Sequence, residues 1–393
     1  MLDMQKVAQA LAAKRDLFAN YTRTQSSALE SYRREWARVA RLPQAEVEAR
    51  LADTRWPGAR PSAEHDLHRR PVVSFTERWE NHEQARAWAR RILYGIPTIA
   101  VDGSQIAPSR DLAMPVGAVQ IGWFENPHDT ERDYVKDLSF EILAPQELLG
   151  DGDGEATSFA EWQVNWRRFE AECRRLEACM HTYRDRHPKP VCLFDGSLIV
   201  SFVAHMLPQD QAYYVRAVSE LLATSQGCRV PLVGYVDMSY ASDLVAMLDT
   251  LAGRSAAQRP ADGAFLRPLL HWGDRTPAWL CARQDAVQPP EGEKYYDQVA
   301  FVYLKTTADN PPARLEFPRW LLDEGQLEPV LDVVRAECVV GNGYPYAIET
   351  ADAVAVITAQ DRERFYAAFQ RFASEEGLPW RFRRKASSKL GRR

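Results

Sequence analysis

The sequence predicts an α/β protein with a mixed β-sheet flanked by helices and a long N-terminal helical arm. Residues 7–42 carry apolar side chains at intervals of three and four and contain neither proline nor glycine, which is typical of amphipathic helix. Residues 97–143 indicate three short strands joined by turns. From residue 191 onward, β runs alternate with helical patterns, which favours parallel strands joined by helices.

The elements follow from local signals. Pro188 and Pro190 end a long helix, because proline cannot continue the hydrogen-bonding pattern of a helix, and Gly341 ends a later one. We expect helices at 76–94, 158–186, 210–226, 241–253 and 328–341 and after Pro345, and strands at 97–104, 114–125, 131–143, 191–197, 230–239, 299–306 and 313–318.

Changes in composition divide the chain into three parts. A helical arm and a connector with proline and glycine are expected over 1–95, and the main domain over 96–375. Residues 252–296 are rich in proline, glycine and charge, and we interpret them as an insertion in that domain. The final residues, 376–393, form a basic tail, which is either solvated or in contact with a phosphate backbone.

Composition excludes several classes of protein. The formal net charge of −5 over 393 residues excludes a uniformly basic nucleic-acid binder, although a local basic groove stays open. No apolar run approaches the ~18 residues that a membrane span needs, and no signal-peptide pattern begins the chain. We therefore expect a cytoplasmic protein. The six cysteines show no C-x-x-C spacing, so we expect them to be reduced and mostly buried.

Two aspartates end apolar β runs in nearly identical turns, VDGS at 101–104 and FDGS at 194–197. A carboxylate at the end of a buried strand costs free energy unless something pairs with it. Acids on the first strand, the next helix, the fourth strand and a late helix form the acid layout of the RNase H-like fold. Strands one and four are neighbours in that fold, so we expect Asp102 and Asp195 within a few ångströms of each other.

Carboxylates that lie so close repel one another, and a divalent cation between them removes this cost. Hard oxygen ligands suit Mg²⁺ or Mn²⁺, and two such ions can promote phosphodiester cleavage. The long helix offers Glu170, Glu172 and Glu177 as the helix acid. Glu170 and Glu177 are seven residues apart and share a face, whereas Glu172 points elsewhere. Asp352 is the acid on a late helix.

Five ordered segments resemble the NurA nuclease family: VDGS (101–104), FDGSL (194–198), GYV with a polar residue (234–237), RLEFP (314–318) and GYPYAIETADAVAVI (343–357). The resemblance covers about 96–358. It implies an RNase H-like, manganese-dependent nuclease that acts on single-stranded DNA and duplex ends, as a 5′–3′ exonuclease and single-strand endonuclease. It also implies a homodimer that works with a HerA-type hexameric ATPase in DNA end resection and double-strand break repair.

The resemblance also implies the site residues. Asp102 and Asp195 match the two metal-binding aspartates of the family, and Tyr344 matches the tyrosine of its late Y-P segment. The family pattern of arginine, a bulky apolar residue and glutamate matches Glu170 in RRFE, with Glu177 as the alternative. These residues are expected to hold one or two Mn²⁺ ions, with Mg²⁺ as the alternative.

The chain departs from the family pattern at two positions. Asp352 stands where the family commonly has a histidine, so it can be a metal ligand but not a neutral imidazole base. Asp237 stands where a lysine is frequent, and it is either a further ligand or the partner of an arginine.

Three other interpretations remain open from the sequence. Each DGS segment is also an ordinary turn, in which aspartate bonds to the backbone and glycine takes a positive φ. The chain is alternatively a catalytically weak, dimeric adaptor of a translocating ATPase, for which the departure at Asp352 is the reason. An actin-like nucleotide-binding protein is the third, although no Gly-rich phosphate loop accompanies the DGS segments.

Overall fold

The chain divides into two units, one of which carries the two DGS segments. The structure is a computed structural model that describes residues 2–109, 114–149, 156–255, 259–283 and 295–378. The first unit comprises 1–78, 236–285 and 296–319, and the second comprises 79–235, 286–295 and 320–393.

In the second unit, the helices and strands lie close to the positions expected from the sequence. The helices are α1 (Met4–Ala12), α2 (Arg15–Val39), α3 (Gln44–Leu51), α4 (Ala63–His68), α5 (His82–Leu93), α6 (Pro145–Leu149), α7 (Ala156–Thr182), α8 (Pro208–Cys228), α9 (Asp243–Leu251), α10 (Asp262–Leu266), α11 (Trp320–Asp323), α12 (Leu327–Val340), α13 (Tyr346–Ala355) and α14 (Ala359–Glu375). The strands are β1 (Gly58–Pro61), β2 (Thr98–Ile106), β3 (Gly117–Asn126), β4 (Val135–Leu143), β5 (Val191–Asp195), β6 (Leu232–Val236), β7 (Trp279–Ala282), β8 (Val299–Leu304) and β9 (Ala313–Pro318).

The second unit contains a mixed sheet in the order β4-β3-β2-β5-β6. β2, β3 and β4 form the expected antiparallel meander, while β5 lies parallel to both β2 and β6. This is the strand order of the RNase H-like fold, and it confirms the predicted α/β architecture. Because β5 is the apolar run VCLF followed by Asp195, its first four residues are buried in the sheet and the aspartate emerges at its end.

Helices cover the faces of this sheet. α7 and α13 both pack on β2 and β3, and α8 packs on α7. α13 approaches β3 closely because Gly122 has no side chain: a Cβ there would lie 2.7 Å from the backbone nitrogen of Ala355. Pro345 precedes α13 and has a φ of −60°, so it sets the direction in which the helix begins.

The first unit contains the antiparallel strands β1, β7, β8 and β9, in that order. Its core includes Trp36 of α2, whose ring centroid lies 5.3 Å from that of Trp279 on β7 and 5.9 Å from that of Phe265 on α10. The second half of the N-terminal arm therefore packs inside this unit, whereas α1 buries no residue. β7 and α10 lie in the segment interpreted as an insertion.

The structure also bears on the expected state of the cysteines and on the expected absence of a membrane span. All six cysteines are free and buried, as predicted. None of the described helices is long and apolar enough to cross a membrane. Residues 256–258 and 284–294 of the expected insertion and 379–393 of the basic tail lie outside the described residues.

Candidate metal centre

The parallel pairing of β2 and β5 brings Asp102 and Asp195 together. Val101 pairs with Phe194 in the register. Asp102 and Asp195 are the next residues on the two strands, so they lie side by side at the same edge of the sheet. Burial and then the charges of Asp195 and Asp352 raise the pKa of Asp102 to about 6, although the backbone N–H of Gly103 opposes the shift. The register therefore brings the two acids to neighbouring positions, but only Asp195 ends its strand, whereas β2 was expected to stop in its DGS segment and continues to Ile106.

Asp352 reaches this pair from α13. The Asp352 carboxyl contributes to the raised pKa of Asp102, after burial and the charge of Asp195. The helix end that carries it is held by Gln120 on β3, whose Nε2 donates to the carbonyl of Ala355 at 3.0 Å. Asp352 is exposed, so the acid cluster opens to solvent on this side.

Glu172 of α7 is the helix acid that joins the cluster. Its side chain is 5% exposed, and burial raises its pKa to about 8. Nearby Arg168 opposes this shift, and the charges of Asp102 and Asp195 add to it. Arg168 Nη1 donates to Glu172 Oε1 at 2.6 Å and to the carbonyl of Gly103 at 3.3 Å. Arg168 therefore ties the helix acid to the strand that carries Asp102.

Gly103 is required for this approach. A Cβ at Gly103 would lie 2.5 Å from Glu172 Oε1 and 2.8 Å from Arg168 Cγ, which is closer than real contacts of Cβ atoms. The glycine of the first DGS segment therefore makes room for the helix acid, and it lies within β2 and not in a turn.

The structure places Glu170 and Glu177 on another face of α7. Glu170 pairs with Arg174 at 2.6 Å, and together with Glu177 it lines a small pocket against α8. Burial, and then the charge of Glu220, raise the pKa of Glu177 to about 7. The two residues share a face, as expected, but the structure does not bring that face to Asp102.

A signal for Glu172 was present in the sequence. It lies four and seven residues before Leu176 and Cys179, both of which are buried. Residues at these spacings share one face of a helix. Glu172 thus occupies an apolar position of the buried stripe, and a carboxylate at such a position indicates a partner.

Tyr344 contacts the second aspartate. Its hydroxyl donates to Asp195 Oδ1 at 2.8 Å, and its ring packs edge-on against Tyr235 of β6 at 5.1 Å between centroids. Gly196 has a φ of +130°, so the chain turns sharply directly after the carboxylate. Ser197 Oγ donates to the carbonyl of Ile199 at 2.9 Å and accepts from its N–H at 3.0 Å, so this hydroxyl is engaged in the turn after Asp195.

Asp237, the remaining candidate, follows β6 and belongs to the first unit. The residue as a whole is exposed, but its carboxyl is partly buried, and this desolvation raises its pKa. Its role as a ligand or as the partner of an arginine stays a prediction.

The donor set of the cluster fits a divalent cation. Asp102, Asp195, Glu172 and Asp352 offer only carboxylate oxygens, which are the ligands that Mg²⁺ and Mn²⁺ prefer. Across the described ranges, no three acidic, histidine or cysteine side chains already stand in metal-binding geometry. Arg168 Nη1 donates to Glu172 Oε1 at 2.6 Å, so a cation that binds Glu172 has to compete with this contact.

Comparison with known families decides the assignment. The family model for the NurA domain matches residues 97–357, which is most of the chain and contains the whole acid cluster. The chain belongs to the NurA family. It is accordingly a metal-dependent nuclease, as the sequence predicted, and this favours the nuclease over the actin-like nucleotide-binding alternative. Curated proteins, by contrast, include no significant match.

Solved structures resemble this NurA-family chain at low identity. A crystal structure of NurA with manganese is 11% identical, with a TM-score of 0.41, and the match covers 74% of this chain and 94% of that one. A NurA bound to dAMP and manganese is 10% identical, with a TM-score of 0.35 and coverages of 68% and 86%. The catalytic domain of human endonuclease V is 15% identical, with a TM-score of 0.34 and coverages of 90% and 99%.

Proposed function

We propose that this NurA-family protein is a Mn²⁺-dependent DNA nuclease, a 5′–3′ exonuclease and single-strand endonuclease. In this proposal it acts in the cytoplasm as a homodimer, together with a HerA-type hexameric ATPase, in DNA end resection and double-strand break repair. The observation that carries the catalytic part is the convergence of Asp102, Asp195, Glu172 and Asp352 at one sheet edge. The polarity, the repair role and the partners rest on the family resemblance.

The four acids are the proposed ligands of one or two ions, with Mg²⁺ as the alternative metal. Glu172 takes the role that the sequence assigned to Glu170, because it is the helix acid whose pKa the charges of Asp102 and Asp195 raise further. When bound, a divalent ion supplies Lewis-acid stabilisation of the phosphate and lowers the pKa of water. The proposed role of the four carboxylates is to hold the ion.

Two further residues orient these ligands. Arg168 holds the Glu172 carboxyl against the backbone of β2 through Nη1. The Tyr344 hydroxyl donates a hydrogen bond to Asp195 Oδ1 and so fixes the rotation of that carboxylate. Asp352 holds its carboxyl beside Asp102 and has no ring nitrogen, so it binds cations but does not act as an imidazole base.

Cleavage of end-labelled single-stranded and duplex DNA tests the proposal. With Mn²⁺ present, we expect Asp102→Asn and Asp195→Asn each to lower the cleavage rate by at least ~100-fold, because each removes a charged ligand. Glu170→Gln is the matched control, since it removes a carboxyl from α7 that faces α8, and it should cleave at the parental rate. Parental rates in both aspartate variants would refute the proposed mechanism.

The alternative function is a catalytically weak adaptor of the ATPase. The observation that favours it is the aspartate at position 352, where the family commonly has a histidine. Titration of the parent protein with Mn²⁺ separates the two functions, because the nuclease requires saturable binding and the adaptor does not. Binding without measurable DNA cleavage would support the adaptor.

A further inference from the structure

A second buried acid of this unit lies outside the candidate metal centre. Glu337 of α12 is 1% exposed and contacts three separate segments. Its Oε1 accepts from Thr98 Oγ1 at 2.8 Å and lies 3.3 Å from His128 Nε2. Its Oε2 accepts from the backbone N–H of Ala347 at 2.8 Å.

A buried carboxylate is retained at a low cost only when its oxygens are paired. Here the partners come from the first residue of β2, from the segment after β3 and from the first turn of α13. His128 is itself fixed, because its Nδ1 lies 2.8 Å from the carbonyl of Ile96, just before β2. Glu337 therefore connects the start of β2 with the start of α13.

The contact with Ala347 suits the start of a helix. The first N–H groups of a helix have no partner within the helix and favour a negative charge nearby. Pro345, the residue before α13, makes no side-chain cap. The carboxylate of Glu337 thus supplies from another helix the acceptor that a capping side chain would otherwise provide.

The other end of α13 is held separately. Gln120 donates to the carbonyl of Ala355, and Gly122 allows the backbone of α13 to lie against β3. Asp352 lies between the two attachments, about 7.5 Å along the helix axis from Ala347 at 1.5 Å per residue. We expect loss of the first attachment to loosen the start of α13, which packs on β2 and β3, and so to shift Asp352 relative to Asp102.

We propose that Glu337 is a positioning residue of the metal centre, which holds α13 so that Asp352 meets Asp102. This inference rests on the proposed function, since it takes Asp352 as a metal ligand. Glu337 touches neither the metal nor the DNA in this proposal, and it acts through the helix that it anchors. The same side chain holds both β2 and α13, so it couples the two elements that carry these acids.

The test is calorimetric titration of the full chain with Mn²⁺, without DNA. Glu337→Gln keeps the shape of the side chain and removes its charge, and we expect Mn²⁺ binding to weaken by about tenfold, equivalent to ~1.4 kcal/mol. Glu349→Gln is the matched control, because Glu349 is an exposed acid in the first turn of the same helix. It should bind Mn²⁺ within about twofold of the parent.

A double variant separates a positioning role of Glu337, which acts through Asp352, from a purely structural role of Glu337. If Glu337 acts through Asp352, Glu337→Gln added to Asp352→Asn should weaken Mn²⁺ binding by no more than about twofold beyond Asp352→Asn alone. An additive, tenfold further loss would overturn the inference. Thr98→Val removes one donor and keeps the carboxylate, so it replaces Glu337→Gln if that variant does not fold, with an expected loss of about threefold.

The outcomes also separate this inference from the proposed function. A parent protein that shows no saturable Mn²⁺ binding overturns the proposed function, and the inference with it. A parent that binds Mn²⁺ and a folded Glu337 or Thr98 variant that binds it equally well overturn the inference alone.

Discussion

Replacement of Glu172 by glutamine should remove a pH dependence from the stability of the metal-free protein. The pKa of Glu172 is 4.5 in an unfolded chain and about 8 in the fold, where burial is the main cause of the rise. The folded state therefore binds this proton more tightly than the unfolded state. The stabilising contribution is complete below about pH 4.5 and is lost as the pH rises through about 8.

The magnitude follows from the two pKa values. Linkage converts them into a loss of about 4 kcal/mol in the free energy of unfolding between pH 5 and pH 9. Glutamine has no proton to lose, and its amide oxygen still accepts from Arg168. The difference in stability between Glu172→Gln and the parent should therefore grow by about 4 kcal/mol over this interval, in favour of the variant at high pH.

Denaturant unfolding, followed by tryptophan fluorescence in the presence of EDTA, measures this difference at pH 5, 7 and 9. Glu170→Gln is the control, because its carboxyl leaves the same helix toward α8 and contacts Arg174. We expect its stability to follow that of the parent at each pH. Equal pH slopes for the parent and Glu172→Gln would show that Glu172 is not a desolvated member of the acid cluster, and would refute the reasoning.

Two further substitutions test the architecture of the site. Gly103→Ala places a Cβ 2.5 Å from Glu172 Oε1, so we expect a loss of about 1–3 kcal/mol in unfolding free energy and weaker Mn²⁺ binding in titration; parental values for both would contradict the packing described. Tyr344→Phe keeps the ring against Tyr235 but removes the donor to Asp195. Cleavage of labelled DNA should then slow by about tenfold, equivalent to ~1.4 kcal/mol, with the melting temperature little changed. An unchanged rate would exclude Tyr344 from the site.

Much of the second unit could be predicted from the sequence because its signals are local. The apolar runs that lead into Asp-Gly-Ser mark both strands, but only β5 stops there, because β2 continues through the first Asp-Gly-Ser to Ile106. The neighbouring positions of Asp102 and Asp195 then follow from one topological rule, that the first and fourth strands of this fold are adjacent, and the register confirms it.

The helix acid could not be assigned with the same certainty, because it depends on the rotation of α7 about its axis. Residues 170 and 172 are about 200° apart on a helix, so a choice between them needs the face that meets β2. A match to a short family pattern favoured Glu170, whereas the buried stripe through Leu176 places Glu172 on that face.

The first unit was less predictable because its strands are set by distant partners. β1 consists of only Gly-Ala-Arg-Pro and has no β-forming signal of its own. It becomes a strand through pairing with β7, more than two hundred residues later in the chain. Long-range pairing of this kind leaves no local pattern that a single sequence can reveal.

The pairing of β2 with β5 has a consequence for how the protein unfolds. Asp102 and Asp195 are separated by the meander and by the whole of α7, so an ion held by both carboxylates fastens the two ends of a loop of about 90 residues. Such an ion is a reversible cross-link that closes a long loop, as a disulfide between the same two positions would. If the proposed ion binds both carboxylates, we expect β5 to separate from β2 more slowly with Mn²⁺ bound than in EDTA.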